Sequence, residues 1–253
     1  MSAEPRLITL PISPFNELAR WSLEWRGIPY REEPQILVWH VIASRRVGGG
    51  GTTPVLVADG EVVAESSEIA EWADRQPSTR PPLFPGGTDA EPVRRFVRRQ
   101  VRELGPESRR LAWNHLIDDL PLADRYWAQG VEGRQRRWQP FLLRLGRPVV
   151  KRRLRVRPRQ LSENLERVTA VFDEVAARLE DGRPYLFGES LTAADIAFAA
   201  MAMPAILPDQ GYPVALPAAA EMGKMADPIE ELRAHPAGQF ALRLYRDHRS
   251  PSA

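Results

Sequence analysis

RLITLPISPFNELARWSLEWRGIPYREE, residues 6–33, changes character twice within 28 positions. Residues 6–10 (RLITL) form a short apolar run suited to a buried strand. From Pro14 to Arg26 the period becomes helical, with Phe15, Leu18, Trp21 and Trp25 recurring at three- and four-residue spacing. Pro14 suits the first helical position, where a missing N–H costs nothing, and Ser13 suits the N-cap before it. Gly27 ends the helix and IPYREE reads as a second strand, so the stretch predicts a βαβ unit. Ser13 is then either a plain cap or a hydroxyl turned toward a ligand.

The pattern continues outward from this unit. Residues 36–46 (ILVWHVIASRR) are expected to be helical, and GGGG at 48–51 breaks them off. TPVLV (53–57), Asp59-Gly60 and EVVA (61–64) carry a hairpin signal. Ser66 is expected to cap the helix SSEIAEWADRQ, which gives the order β-α-β-α-β-β-α up to Gln76. A proline- and glycine-rich linker follows at 77–87, and the rest of the chain reads as helical. The segment 93–113 carries an arginine stripe, and 161–182 is amphipathic up to Gly182. Between 114 and 160 the helical signal is weak, interrupted by Gly130, Gly133, Pro140, Gly146, Pro148 and Pro158. Thr192 and Asp195 form a capping arrangement at the head of LTAADIAFAAM, a structural role.

Composition narrows the chemistry. The chain has 253 residues, 27% of them charged, a formal net charge of +2 and no cysteine. Disulfides, thiolate metal sites and cysteine nucleophiles are excluded. The four histidines (40, 115, 235, 248) have no metal spacing and no triad motif accompanies them, so no metal is expected. The N-terminus shows no basic region followed by an apolar run, so no secretory leader is expected, and with the absence of cysteine the expected location is cytoplasmic. The apolar segment 191–208 contains Asp195 and Pro204 and reads as a buried helix rather than a membrane span. Eleven basic residues and no acidic one lie between Arg134 and Arg159. Their interleaving with Val, Leu and Pro favours a solvated face, or one packed on acidic partners, over a nucleic-acid or membrane surface.

The order of elements, with SPFNELARWSLEWRGIPYRE, TTPVL, ESSEI (65–69) and LTAADIA (191–197), resembles the glutathione S-transferase superfamily. The resemblance implies an α/β thioredoxin-like N-terminal domain (1–78), a linker (79–92) and an all-α C-terminal domain (93–253). It implies a cis Thr53–Pro54 bond whose backbone pairs with an extended peptide, glutathione as co-substrate, and Ser13 as the hydroxyl that stabilises its thiolate. Phe15 and Asn16 join the glutathione site, and Asn16 is the alternative to Ser13 as the polar group near the sulfur. Glu65 and Ser66 would take the amine and carboxylate of the γ-glutamyl end. Trp113, His115 and Tyr126, with Trp127, stand where an electrophile pocket is expected.

Two positions depart from the family pattern. Thr53 replaces a bulky aliphatic residue, and no basic residue precedes it in GGGGTTP, which leaves His40, Arg45 or Arg46 for the glycine carboxylate. The implied function is transfer of glutathione to a small hydrophobic electrophile, as in detoxification, by a homodimer. The alternative is an inactive carrier or interaction module on the same fold.

Overall fold

The structure, a computed structural model, describes residues 4–87, 90–154, 156 and 161–249. Strand β1 (Arg6–Thr9) leads into helix α1 (Pro14–Trp25), and the chain returns as β2 (Arg31–Pro34), parallel to β1. Helix α2 (Trp39–Arg46) precedes the hairpin of β3 (Val55–Ala58) and β4 (Glu61–Val63), and α3 (Ser66–Arg75) closes the first domain. The sheet order is β2-β1-β3-β4, with β3 antiparallel to both neighbours. A parallel pair requires a crossover, which α1 supplies. The antiparallel pair β3–β4 requires only a tight turn, and Asp59 and Gly60 both adopt the positive φ such a turn needs.

Three boundaries differ from the sequence reading, each for a local reason. Ile28 is not in β2, because its N–H closes the end of α1 on the Leu23 carbonyl while Gly27 binds that of Glu24. Helix α2 starts at Trp39 rather than residue 36, because Val38 holds a φ of 74°. Glu65, not Ser66, is the N-cap of α3, and Ser66 is its first helical residue.

The second domain contains α4 (Ala90–Arg102), α5 (Leu104–Leu116), α6 (Leu120–Trp127), α7 (Gly133–Arg153), α8 (Leu161–Leu179), α9 (Ala193–Ile206), a 3-10 segment (Ala219–Met225), α10 (Ala226–Ala234) and α11 (Pro236–His248). Helix α4 thus begins inside the stretch read as linker, and the arginine stripe is divided between two helices at Glu103. Every residue of α9 is buried, as its all-round apolar sequence requires, and it packs against α1, α4, α5 and α11. Among the described residues no helix is long and apolar enough to cross a membrane.

The weak region 114–160 forms α6 and α7, and Pro140 and Pro148 are accommodated inside α7. Part of the basic run meets acidic partners: Lys151 and Arg147 pair with Asp118, and Arg136 with Asp124 at 2.9 Å. Arg155, Arg157 and Arg159 lie outside the described residues.

At the head of α9, Asp195 accepts from the Thr192 N–H (2.8 Å), the Thr192 hydroxyl (2.9 Å) and the Leu186 N–H (2.8 Å). Burial nevertheless lifts its carboxyl to about 6. Replacing it by alanine removes a cap and strands a buried donor, so Asp195→Ala should cost about 2–4 kcal/mol, read as a fall in Tm.

A cluster of charges surrounds α1. Arg20 binds Glu32 of β2 at 2.6 Å, and Arg249, just beyond α11, binds Glu17 at 2.7 Å and also reaches Glu24. Arg20, Glu17 and Arg249 are all but inaccessible to water. Burial pushes the Glu17 carboxyl up, opposed by Arg249. Arg249→Met leaves that carboxyl buried without its main partner and should destabilise the fold by about 3–5 kcal/mol at neutral pH. A carboxyl raised in the folded state favours folding below its unfolded value, near 4.3, and that contribution is lost as pH rises through the folded value. The deficit of Arg249→Met should therefore shrink toward acid pH, and Glu17→Gln in the same background should recover stability. Denaturant titrations across pH check both.

Candidate functional site

The elements described converge on a cavity of about 460 Å³ between the two domains. Its first-domain wall comes from the β1–α1 connection (Leu10 to Phe15), α2 and the Gly51–Thr53 loop; α5, α6, α7 and the end of α9 complete it. The lining is mainly apolar, and its size suits a small organic molecule. A second depression, of about 480 Å³, lies beside Pro92 and Phe187, but its Asp181 and Arg183 pair with each other and it receives nothing from the sheet.

Ser13 borders the cavity as the N-cap of α1. Its Oγ accepts from the Asn16 N–H at 3.5 Å, the long limit for such a bond, and no acceptor for its own proton is found among the described residues. The backbone behind it is fixed, since its N–H donates to the Tyr212 hydroxyl at 3.2 Å, which in turn donates to the Pro11 carbonyl. The irregular segment after α9 thus anchors the first domain through Tyr212 and also borders the cavity through Leu216 and Pro217.

Phe15, Thr53, Trp113 and Tyr126 line the same cavity, as does Trp127, whose ring stacks on Trp113 at 3.9 Å and 22°. The Thr53–Pro54 bond is cis, with Pro54 buried behind Thr53. Asn16 is fully buried beneath the site, donating to the Leu10 carbonyl (2.8 Å) and to Thr53 Oγ1 (3.5 Å). It ties the two first-domain loops together rather than facing the cavity.

Glu65 and Ser66 stand at the start of α3 and do not line the cavity. Glu65 is exposed, while Ser66 is buried with no partner for its Oγ. His115 also lies outside the lining: its ring packs against Gly223, where a Cβ would come within 2.8 Å of it. Successive residues of a helix point about 100° apart, so Trp113 and His115 cannot share a face. Of the three candidate cations, His40 borders the cavity, whereas Arg45 packs near Gly51 and Arg46 is outside the lining.

Arg109 and Arg153 also line the cavity, and the sequence reading missed both. The Arg109 guanidinium lies over the Phe15 ring, 5.2 Å from its centroid. Among the described residues it has no acidic partner, and its Nε is buried without a hydrogen bond. Burial and the charges of Arg110 and Arg153 push it down to about 10, so it remains a cation at neutral pH. Burial, then Arg153, likewise lowers His40, against its bond to the Ile36 carbonyl. Among the described residues no group of three or more potential ligands is placed to hold a metal ion.

The Tyr126 hydroxyl donates to Glu221 at 2.7 Å, so its polar end is committed to the wall. Tyr126→Phe should lower stability by about 1 kcal/mol yet leave the affinity for an aromatic ligand within about twofold, as calorimetry and thermal melts would show.

Residues 7–81 match the model of the glutathione S-transferase N-terminal domain, and residues 158–221 that of its C-terminal domain. Together they take in more than half of the chain. Among solved structures, a glutathione transferase from Phanerochaete chrysosporium is similar over all of both chains, at 16% identity and a TM-score of 0.63. A glutathione S-transferase from Xanthobacter autotrophicus is 17% identical, with 96% of this chain and 93% of that one covered and a TM-score of 0.61. One from Methylobacterium radiotolerans, in complex with glutathione sulfonate, is 18% identical, with 99% and 97% covered and a TM-score of 0.54. At such identities the likeness speaks to fold. No curated protein matches by sequence.

Proposed function

The chain belongs to the glutathione S-transferase superfamily, and on that premise we propose that it binds glutathione and directs its thiolate at an electrophile held in the interdomain cavity. The observation that carries this reading is Ser13, a helix N-cap with an uncommitted hydroxyl proton at the edge of an apolar cavity. A free thiol titrates near 8.5 and is mostly protonated at neutral pH. The N-terminus of α1 and a hydrogen bond donated by Ser13 both favour the anion, and so lower that value. The protein has no cysteine, so the sulfur arrives with the ligand.

The rest of the tripeptide has candidates on the first domain. The backbone of Thr53, held by the cis bond to Pro54, is suited to pair with an extended peptide. At the start of α3, the unpartnered Ser66 hydroxyl and the free N–H groups of the first turn suit the γ-glutamyl carboxylate. The exposed Glu65 carboxylate suits the amine. His40, at the cavity edge, is the assignment for the glycine carboxylate. Phe15, Trp113 and Trp127 would hold the electrophile by its apolar surface. We further read the protein as a cytoplasmic homodimer.

Titrating bound glutathione by thiolate absorbance tests the mechanism, and a pKa lowered by a unit or more is expected. Ser13→Ala should raise that pKa and reduce kcat/KM by about 10–100-fold, the worth of one hydrogen bond to a charged group. Glutathione that binds with an unshifted thiol would favour the inactive carrier instead, and full activity in Ser13→Ala would remove Ser13 from the mechanism.

A further inference from the structure

The cavity carries a charge asymmetry that a purely apolar substrate would not use. Among its lining residues there is no aspartate or glutamate, while the guanidinium groups of Arg109 and Arg153 both border it. Surface guanidinium groups in this protein are widely paired, as Arg110 is with Glu107 and Arg136 with Asp124. Arg109 is the contrast: it is half-buried with its Nε shut off from water, it lies over Phe15, and among the described residues neither it nor Arg153 has an acidic partner. A desolvated cation without a counter-ion is costly, and a ligand that brings one recovers that cost.

We propose that Arg109, with Arg153 at the rim, forms an anion subsite inside the cavity, and that the electrophile is an aromatic carboxylic acid. The planar guanidinium donates two parallel hydrogen bonds to a carboxylate. The stacked Trp113 and Trp127 rings and Phe15 offer flat apolar surface for the arene. Phe15 and Ser13 share the first turn of α1, so a carboxylate held at Arg109 leaves the ring in the space that Ser13 borders. This inference rests on the proposed conjugation only for the electrophile's identity; the subsite itself stands on the cavity.

The test compares a chloronitrobenzoate with its methyl ester, which has the same ring and no charge. Calorimetry without glutathione reads the subsite alone, in the wild type, Arg109→Met, Arg109→Lys and Arg153→Gln, with circular dichroism as the check of folding. The acid is expected to bind about tenfold or more tightly than the ester. Arg109→Met should abolish the difference, Arg109→Lys should retain part of it, and neither should weaken glutathione binding. Equal affinities for acid and ester in the wild type would overturn the proposal and leave Arg109 a packing residue. So would a preference that survives in folded Arg109→Met. A loss of glutathione affinity in that variant, with the acid unaffected, would assign the guanidinium to the tripeptide and equally overturn it. If Arg109→Met does not fold, the wild-type comparison and Arg109→Lys decide.

Turnover is then measured with glutathione. The thiolate sulfur attacks the ring carbon bearing chlorine, the C–S bond forms, chloride leaves with the bonding pair, and the thiol proton passes to solvent. A preference for the acid without turnover supports the subsite and counts against the conjugation reading. Turnover of both compounds with equal KM supports conjugation and sinks the subsite.

Discussion

Helix α1 is buried on almost every side, yet it carries Glu17, Arg20 and Glu24. Charges in such a position must be neutralised within the protein, because leaving one of them buried and unpaired costs several kcal/mol, a large fraction of the stability of a typical domain. Here one partner, Glu32, comes from the next strand, β2, and the other, Arg249, from beyond the last helix. The first turn of α1 holds Ser13 and Phe15, and so the position of the site depends on a residue more than 230 positions away in sequence. The same cluster crosses from the second domain to the first through Arg249. Helix α1 packs on α3 of its own domain and on α9 of the other, and the C-terminal segment locks it there.

The cavity is a product of that arrangement. One wall is made by loops of the sheet domain, tied together by Asn16, and the other by helices of the second domain. At Gly105 the two domains approach so closely that a Cβ would sit 3.0 Å from the Phe15 ring and 2.6 Å from Met201 Sδ. Ser108, one turn on, donates to the Met201 carbonyl at 2.6 Å and fixes α5 on α9. The head of α5 is therefore rigidly placed, and Arg109 with it.

What was legible in the sequence was what is decided locally. Ser13 and Pro14 announce a helix start, Asp59-Gly60 a hairpin, and Thr192 with Asp195 a cap, each through chemistry within a few residues. The cis bond at Pro54 and the domain order came through resemblance. What was not legible needs the third dimension. Arg109 and Arg110 are adjacent in sequence, but Arg110 meets Glu107 while Arg109 is turned onto Phe15. Nothing in the stripe marks which of the two faces inward. His115 was placed in the pocket with Trp113 because both are aromatic residues of the region where the resemblance expects one, and the helical turn carries it to the opposite side. Pro140 and Pro148 weakened the helical signal of α7, whose exposed surface tolerates the missing donors.

Helix α7 supplies Leu142, Gly146, Val149, Val150 and Arg153 to the cavity, yet its principal neighbour is α6 alone, and Trp138, Phe141 and Leu145 remain exposed on it. The residues that hold the fold together and the residues that shape this side of the cavity are thus largely different sets. Substitutions in α7 can redraw the volume and polarity offered to a guest while the ion cluster at α1 and the buried helix α9 stay as they are. The architecture thus sets the parts that shape this wall apart from the parts that hold the fold, so the wall can vary while the scaffold is kept.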